Sequence, residues 1–399
     1  MSKKHRPADK IQDIQFFGEF GGVNPSITDS STFTYLEGKT MEEVFDGEKK
    51  GCYLYSRHIN PSNQYLSKAI AEIENMESAV VASSGMAAIS SVILQLCSSG
   101  DNIISSNTVY GGTYALFKNL LPRFQIKTSF VSMSNFKSIE KAIDSKTKLI
   151  YCESMSNPLL GVSDIKKLSE IAKKHNIKLV VDNTFCPLIF TPKDYGADVV
   201  LHSLTKFING SSDAIGGVVC SDRSLIQELI NVNSGVSMLL GPTMDSVRSS
   251  SVLKNLRTLH IRIKQHSKNA MFLAEQFHAM RNLSVCYPGL IDHPDHSLMK
   301  SVMNNDFGFG GLLTIDVGSR VKANRLMEIM QGENIGYLAV SLGFYKTLFT
   351  APGSSTSSEI SEKEQNSIGI SPGMIRISVG LDNDIKRTFI KIKSCFSKI

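Results

Sequence analysis

Four short segments carry the residues best suited to chemistry, and each adjoins an apolar run. Leu149–Glu153 leads into Ser154-Met155-Ser156-Asn157-Pro158, and a run ending at Val181 delivers Asp182-Asn183-Thr184. A third run, ending at Leu201, delivers His202-Ser203-Leu204-Thr205-Lys206, and upstream Ser84-Gly85-Met86 stands where a helical pattern starts. If the runs are strands of an open α/β sheet, their carboxyl ends share one edge, where ligands of such sheets bind. That edge then gathers an amide, a carboxylate, two hydroxyls, a lysine and the free N–H groups of a helix start.

The set makes three chemical demands. A helix N-terminus with glycine and hydroxyls binds phosphate through unpaired N–H groups and the helix dipole. A lysine beside it can bind phosphate too, or form an imine with a carbonyl. The carboxylate is repelled by phosphate, so it calls for a positive group elsewhere in the ligand. Pyridoxal 5′-phosphate (PLP) meets all three, because a carboxylate keeps its ring nitrogen protonated and the ring then serves as an electron sink. A nucleotide explains the phosphate parts alone, and neither GxxxxGK[ST] nor a strand-bound GxGxxG occurs; Gly308-Phe309-Gly310-Gly311 lacks the spacing. Taken singly, an Asp after a strand is commonly a turn or cap residue, and a lone lysine is a solvated side chain. Their joint placement carries the argument.

The elements that must position these residues follow from periodicity. Tyr65 to Glu77 has helical spacing, with Leu66, Ile70, Ile73 and Met76 on one face. Ala79–Ala82 is a short apolar run, and Met86 to Leu96 is helical. Strands are expected at 102–105, 149–153, 177–181 and 198–201, with helices at 113–121 and 164–175. Strands alternating with helices imply crossover connections and a largely parallel sheet buried on both faces. A long helix from Arg257 to Ala279 opens a smaller C-terminal α/β domain with strands at 311–317 and 375–379. Residues 1–59 read as an irregular arm with at most a short strand at Ser30–Tyr35, so the division is 1–59, 60–256 and 257–399. Pro352 to Ser361 reads as a loop between domains or over a site.

Longer motifs carry a family resemblance. Asp182-Asn183-Thr184-Phe185 followed by Ala197-Asp198-Val199-Val200-Leu201-His202-Ser203-Leu204-Thr205-Lys206-Phe207-Ile208-Asn209-Gly210 resembles the cofactor-lysine segment of the Cys/Met-metabolism (trans-sulfuration) enzymes. Further ordered matches are Tyr55-Ser56-Arg57 with Asn60-Pro61, Ser84–Ile89, Tyr110–Thr113, Glu153-Ser154 with Asn157-Pro158, Tyr287–Leu290, Ser341–Gly343 and Ile375–Leu381. They span nearly the whole chain. The resemblance implies the PLP-dependent transferase fold type I: a mainly parallel seven-stranded sheet, a smaller C-terminal α/β domain and an N-terminal arm on the neighbouring subunit. It implies that Lys206 forms the imine with PLP and moves protons, that Asp182 pairs with the ring nitrogen, and that Tyr110 stacks on the ring and assists as acid or base. Ser84, Gly85, Met86, Ser203 and Thr205 would hold the cofactor, with Asn157 beside it. Tyr55 and Arg57 would reach the phosphate of the neighbouring subunit, in a homotetramer of paired active dimers. Arg376, with Ser341 and Asn157, would hold the substrate carboxylate, as a planar guanidinium can with two parallel hydrogen bonds.

The implied activity is γ-elimination on methionine, homocysteine or cystathionine, giving 2-oxobutanoate, ammonia and a thiol. The alternative is γ-replacement, by an O-acylhomoserine sulfhydrylase or cystathionine γ-synthase. Three places discriminate within the family: Gly112 replaces the cysteine that methionine γ-lyases carry after Tyr-Gly, Asn233-Ser234 replaces their Lys-Asp pair and resembles cystathionine γ-lyases instead, and Lys346 replaces the acidic residue of those lyases after Ser341-Leu342-Gly343, as in O-acylhomoserine sulfhydrylases. Ala351-Pro352-Gly353 and Thr356-Ser357 are altered as well. If Lys346 points inward at the pocket mouth, it disfavours the distal ammonium of cystathionine. An aminotransferase should lack the Tyr55–Arg57 pair, and a carrier without activity should lack Tyr110 or Arg376.

Composition excludes other classes. The 399 residues include 42% hydrophobic and 20% charged residues, with a net charge of +6, which fits an ordinary folded chain. No basic block interleaved with aromatics points to nucleic acid, and no apolar run approaches the ~18 residues of a membrane span. The polar stretch Met1–Lys10 lacks the apolar core of a secretory signal. Seven scattered cysteines without a CxxC pair point to free thiols in a reducing, cytoplasmic setting. His293-Pro294-Asp295-His296 offers two histidines on a proline-containing loop, without further residues at ligand spacing, so no metal site is expected.

Overall fold

The computed structural model describes residues 5–49, 51–281, 283–355 and 361–399. Seven strands form the larger sheet: β1 (Ser78–Ala82), β2 (Asn102–Ser106), β3 (Lys127–Val131), β4 (Thr147–Glu153), β5 (Lys178–Asp182), β6 (Val199–Ser203) and β7 (Gly217–Ser221). Their order is β1-β7-β6-β5-β4-β2-β3. From β6 through β5, β4 and β2 to β3 every pair is parallel, and only β7 runs against its neighbours. The expected mainly parallel sheet is therefore present.

Burial on both faces explains the unbroken β-branched runs. One face sets Ile104, Ile150, Val181 and Val200 in a core with Leu66, Ile70 and Leu168. The other sets Ile103, Leu149, Val180 and Val199 against Val92, Ile93 and Phe117. Each such side chain contributes about 1.5–3 kcal/mol by leaving water. A second sheet, β8 (Ser284–Cys286), β9 (Leu312–Asp316), β10 (Gly336–Leu338), β11 (Thr347–Thr350) and β12 (Met374–Ser378), has the order β10-β11-β12-β9-β8. Its own core joins Leu313, Ile315, Phe349 and Ile375 to Leu273 and Phe277 of the helix Leu259–His278.

Several elements differ from the sequence reading. The arm holds two helices, Pro7–Asp13 and Gly38–Phe45, and its expected strand reduces to one bridge, Thr32 to Tyr55. The first helix starts at a proline, whose missing N–H is harmless there, and buries Ile11 in the core under the larger sheet. β3 escaped detection because it is an edge strand, Lys-Thr-Ser-Phe-Val, with only two apolar residues. The helix expected at 113–121 is an α-helical turn Gly111–Ala115, a π turn Leu116–Leu120 and a 3₁₀ turn Leu121–Phe124. Pro122 has no N–H to continue an α-helical ladder there. Pro352–Ser354 is a short 3₁₀ turn, and Thr356 and Ser357 lie outside the described residues.

Two local devices set the sheet edge for chemistry. The helix Gly85–Leu96 starts directly after β1 and is capped by Ser84, whose Oγ accepts the Ala87 N–H at 3.0 Å. The Gly85 and Met86 amides, in the first turn, have no intrahelical carbonyl to bond. Gly217 lets β7 approach this turn, since a Cβ there would lie 2.1 Å from the Ser84 carbonyl oxygen.

Candidate active site

Beyond the carboxyl ends of β4, β5 and β6 lies a cavity of about 300 Å³. Ser84, Gly85, Met86, Tyr110, Asn157, Asp182, Ser203, Thr205, Lys206, Ser341 and Arg376 all line it. Residues far apart in sequence thus meet as the sheet-edge reading expects. Tyr55 and Arg57 do not line it: the Arg57 guanidinium donates to the Met238 carbonyl at 2.7 Å and lies over the Tyr55 ring.

At one end, helix start and strand end touch. A Cβ on Gly85 would come within 2.9 Å of Ser203 Cβ, so only glycine admits this approach. The Ser203 N–H donates to Thr184 Oγ1 at 2.8 Å, and Thr205 Oγ1 accepts the Gly216 N–H at 3.1 Å. Unpaired first-turn amides and two hydroxyls make an anion cradle.

Asp182 ends β5, half-buried and facing the cavity. Its carboxyl is raised on balance, chiefly by burial, with the hydrogen bonds from the Thr184 hydroxyl and amide opposing the rise. The Thr184 amide donates to Oδ1 at 2.9 Å. A carboxylate so held can pair with a cationic nitrogen.

Lys206 donates from Nζ to Ser341 Oγ at 3.0 Å. Burial, and then the Arg376 cation, push its amine down to about 8. Only the free amine attacks a carbonyl. Capture of pyridoxal phosphate by cofactor-free protein should therefore accelerate as pH rises, with a midpoint near 8. Stopped-flow absorbance between pH 6 and 10 measures it, and a midpoint at the ordinary lysine value contradicts it.

Arg376, on β12, is 2% exposed. It donates through Nη1 to Asn157 Oδ1 and through Nη2 to the Ser341 carbonyl, both at 3.0 Å. Its Nε is buried without a partner among the described residues, and burial lowers the group to about 10. A buried guanidinium with no carboxylate partner has capacity for an incoming one. Ser341 reaches both Lys206 and Arg376 from a backbone φ of +91°, a region costly for a non-glycine residue and found where a site holds it.

Sequence reasoning did not assign the rest of the lining. Ile89, Met155, Phe185, Ile215, Val340 and Leu342 form an apolar wall, and Glu153 and Thr184 add polar atoms. Glu153 and Thr184 stood within the segments at the strand ends; the apolar residues carry no signal that separates a cavity wall from core. The inward placement on which a role for Lys346 depended is not found: it does not line the cavity, and its ammonium sits 5.4 Å from the centroid of the Tyr337 ring. At Gly112 a Cβ would lie 2.6 Å from Tyr110 Cε1 and 3.3 Å from Met86 Sδ, so the Tyr110 ring occupies the space a side chain would need. His293 and His296 are engaged with backbone, through the Asp295 N–H and the Pro288 carbonyl. Among the described residues no three His, Cys, Asp or Glu gather as a metal site, and no helix is long and apolar enough to cross a membrane. All seven cysteines are free.

Comparison with known proteins agrees with this geometry. The family model described as "Cys/Met metabolism PLP-dependent enzyme" matches residues 11–389. A methionine gamma-lyase of Arabidopsis thaliana is 43% identical over 98% of this chain and 90% of its own. A cystathionine gamma-lyase of Bacillus subtilis is 37% identical over 86% of this chain and 88% of its own. Among solved structures, a cystathionine gamma synthase of Xanthomonas oryzae, in complex with aminoacrylate and cysteine, superposes with a TM-score of 0.89 at 31% identity, covering 98% of both chains. The chain described as an O-acetylhomoserine (thiol)-lyase of Campylobacter jejuni, which carries N′-pyridoxyl-lysine-5′-monophosphate, gives 0.91 at 29%, covering 98% of this chain and all of its own. A family match over nearly the whole chain, and relatives above 30% identity along most of it, show that this chain belongs to the Cys/Met-metabolism family of PLP-dependent enzymes.

Proposed function

We propose that this enzyme is a carbon–sulfur lyase that performs γ-elimination on an uncharged sulfur amino acid, methionine first. Methionine and water become methanethiol, ammonia and 2-oxobutanoate. The observation that carries the choice is the apolar wall of Ile89, Met155, Phe185, Ile215, Val340 and Leu342. The charged groups in the lining, Glu153, Asp182, Lys206 and Arg376, all have partners or roles, and none remains for the distal ammonium and carboxylate of cystathionine. A thioether side chain needs only apolar surface, worth ~25 cal/mol per Å² buried.

Roles for the residues follow. The amides of Gly85 and Met86, with Ser84, Ser203 and Thr205, hold the cofactor phosphate. Asp182, in the cavity lining, would pair with the cofactor's ring nitrogen and keep it protonated. Arg376, steadied by Asn157 and Ser341, grips the substrate carboxylate. Bound PLP supplies an electron sink for charge developing on the substrate carbons. Lys206 takes the α-proton and moves protons along the carbon chain; Ser341 aims its amine by the hydrogen bond to Nζ. Tyr110, half-exposed above the cavity, covers the ring and serves as acid toward the departing thiol.

Incubation of the holoenzyme with methionine, with cystathionine, and with O-acetylhomoserine plus sulfide decides the reaction. Fastest release of 2-oxobutanoate and methanethiol from methionine supports the proposal. Homocysteine as the main product of the third mixture points instead to γ-replacement, the reaction class of the synthase and thiol-lyase relatives.

The sites are shared between subunits in this reading. Tyr55 and Arg57 stand away from their own cavity, and residues 5–49 expose Phe17, Phe20 and Leu36 almost completely. An arm 1–59 laid on a neighbour's 60–256 region, beside a 257–399 region completing the pocket, accounts for both in a homotetramer of paired dimers. Mixing inactive Arg57→Ala and Lys206→Ala subunits should then restore part of the activity, up to about a quarter if subunits pair at random. No recovery, assayed after co-refolding, rejects the shared site. The free thiols support a cytoplasmic setting.

A further inference from the structure

Glu153, at the end of β4, has no part in the roles above. Its side chain is buried at the cavity edge, and in the strand register it stands directly beside Asp182. Two adjacent carboxyls resist sharing two full charges. Burial and then the Asp182 charge press Glu153 toward its neutral form, and two backbone amides press the other way. One acid suffices for a ring nitrogen, so the second needs another purpose.

Its hydrogen bonds indicate one. Oε1 accepts the Tyr110 N–H at 2.7 Å, and Oε2 accepts the Asn157 N–H at 3.1 Å. Neither amide belongs to a strand or a helical ladder: Tyr110 precedes the five-residue turn Gly111–Ala115 without a side-chain cap, and Asn157 lies in the loop after β4. The Tyr110 ring fills the space over Gly112, where a Cβ would meet it at 2.6 Å, so a small backbone shift would displace the ring. The Asn157 side chain, for its part, holds Arg376.

We propose that Glu153 is a positioning residue: its single carboxyl ties the backbone of Tyr110 to that of Asn157. The wall that covers the reacting group and the anchor that grips the substrate carboxylate thereby keep a fixed separation. The inference rests on the roles proposed for Tyr110, Asn157 and Arg376. Errors near 1 Å in such a separation are costly to rate.

The test compares full-length holoenzymes of wild type, Glu153→Gln and Glu153→Ala. Readouts are the induced circular dichroism of the bound cofactor in the visible, per cofactor bound, together with KM and kcat. The amide of Glu153→Gln accepts one N–H and opposes the other, so it should keep part of the dichroism. It should raise KM or lower kcat by about tenfold, the loss of one buried hydrogen bond. Glu153→Ala should lose the dichroism and change both constants. A merely structural acid would lower Tm in both variants and leave dichroism, KM and kcat within about twofold of wild type, and that result overturns the proposal. Should Glu153→Ala fail to fold, Glu153→Gln decides alone. Wild-type holoenzyme inert toward all three substrate mixtures would reject the proposed reaction, yet its dichroism would still decide the role of Glu153.

Discussion

Lys206→Ala holoenzyme should turn over substrate at least about ten-thousand-fold more slowly than wild type, because one amine supplies both covalent attachment and proton transfer. Its surroundings explain why no neighbour substitutes. Among the described residues of one chain, the other cation lining the cavity is Arg376 on β12, held by Asn157 and Ser341 and lowered only to about 10, so it neither attacks a carbonyl nor relays a proton. The anion cradle at Gly85 and Ser203 is untouched by the substitution, so the variant should still take up cofactor by equilibrium dialysis. Borohydride followed by peptide mapping should label the Lys206 peptide in wild type and no peptide in the variant. Residual activity above a thousandth of wild type, or a label on another lysine, would remove Lys206 from its assigned role.

Arg376→Ala should raise KM for methionine by about two orders of magnitude or more, the effect of removing the buried partner of a charged ligand group. Arg376→Lys restores the charge without the fork, and should recover only part of the loss. A lysine presents a point charge and cannot hold Asn157 and the Ser341 carbonyl, as the guanidinium does, while offering a fork to a carboxylate. Ser341 links the two experiments, because its hydroxyl holds Lys206 while its carbonyl holds Arg376. Arg376→Ala should therefore lower kcat too, through a less well aimed lysine. Steady-state kinetics with methionine and with a carboxyamide analogue separate the two effects: the analogue should lose far less on substitution. Equal losses for both compounds would show that the guanidinium does not read the carboxylate.

How much of this could be read in advance depended on the kind of signal. Asp182, Ser203 and Lys206 were legible because each follows a run of β-branched residues, and parallel strands bring such ends to one edge. Ser84-Gly85-Met86 was legible for the corresponding reason at a helix start. The arm helices Pro7–Asp13 and Gly38–Phe45 were not, since they are short and gain their stability from what they pack against. β7 was missed as a five-residue run reversed in direction, though it borders the cradle through Gly217. The direction of Lys346 stayed open in the sequence because periodicity cannot tell which way a side chain leaves a loop; its ammonium found the face of Tyr337.

The amino-acid sequence by itself determined the mainly parallel character of the sheet and the residues at the ends of β4, β5 and β6, and through their chemistry the cofactor, because local patterns of apolar side chains dictate burial. Only the tertiary structure decided which loops close the cavity. Arg376 on β12 meets Asn157 after β4, Ser341 meets Lys206, and Glu153 bridges Tyr110 and Asn157. Those contacts join residues from 4 to 219 positions apart, and the long-range ones leave no periodic trace. The apolar wall on which the proposed preference for methionine rests is of the same kind: Ile89, Ile215 and Val340 become neighbours only when two sheets and their connecting loops converge. Hydrophobic residues look alike in a sequence, and packing alone determines which of them face an empty volume.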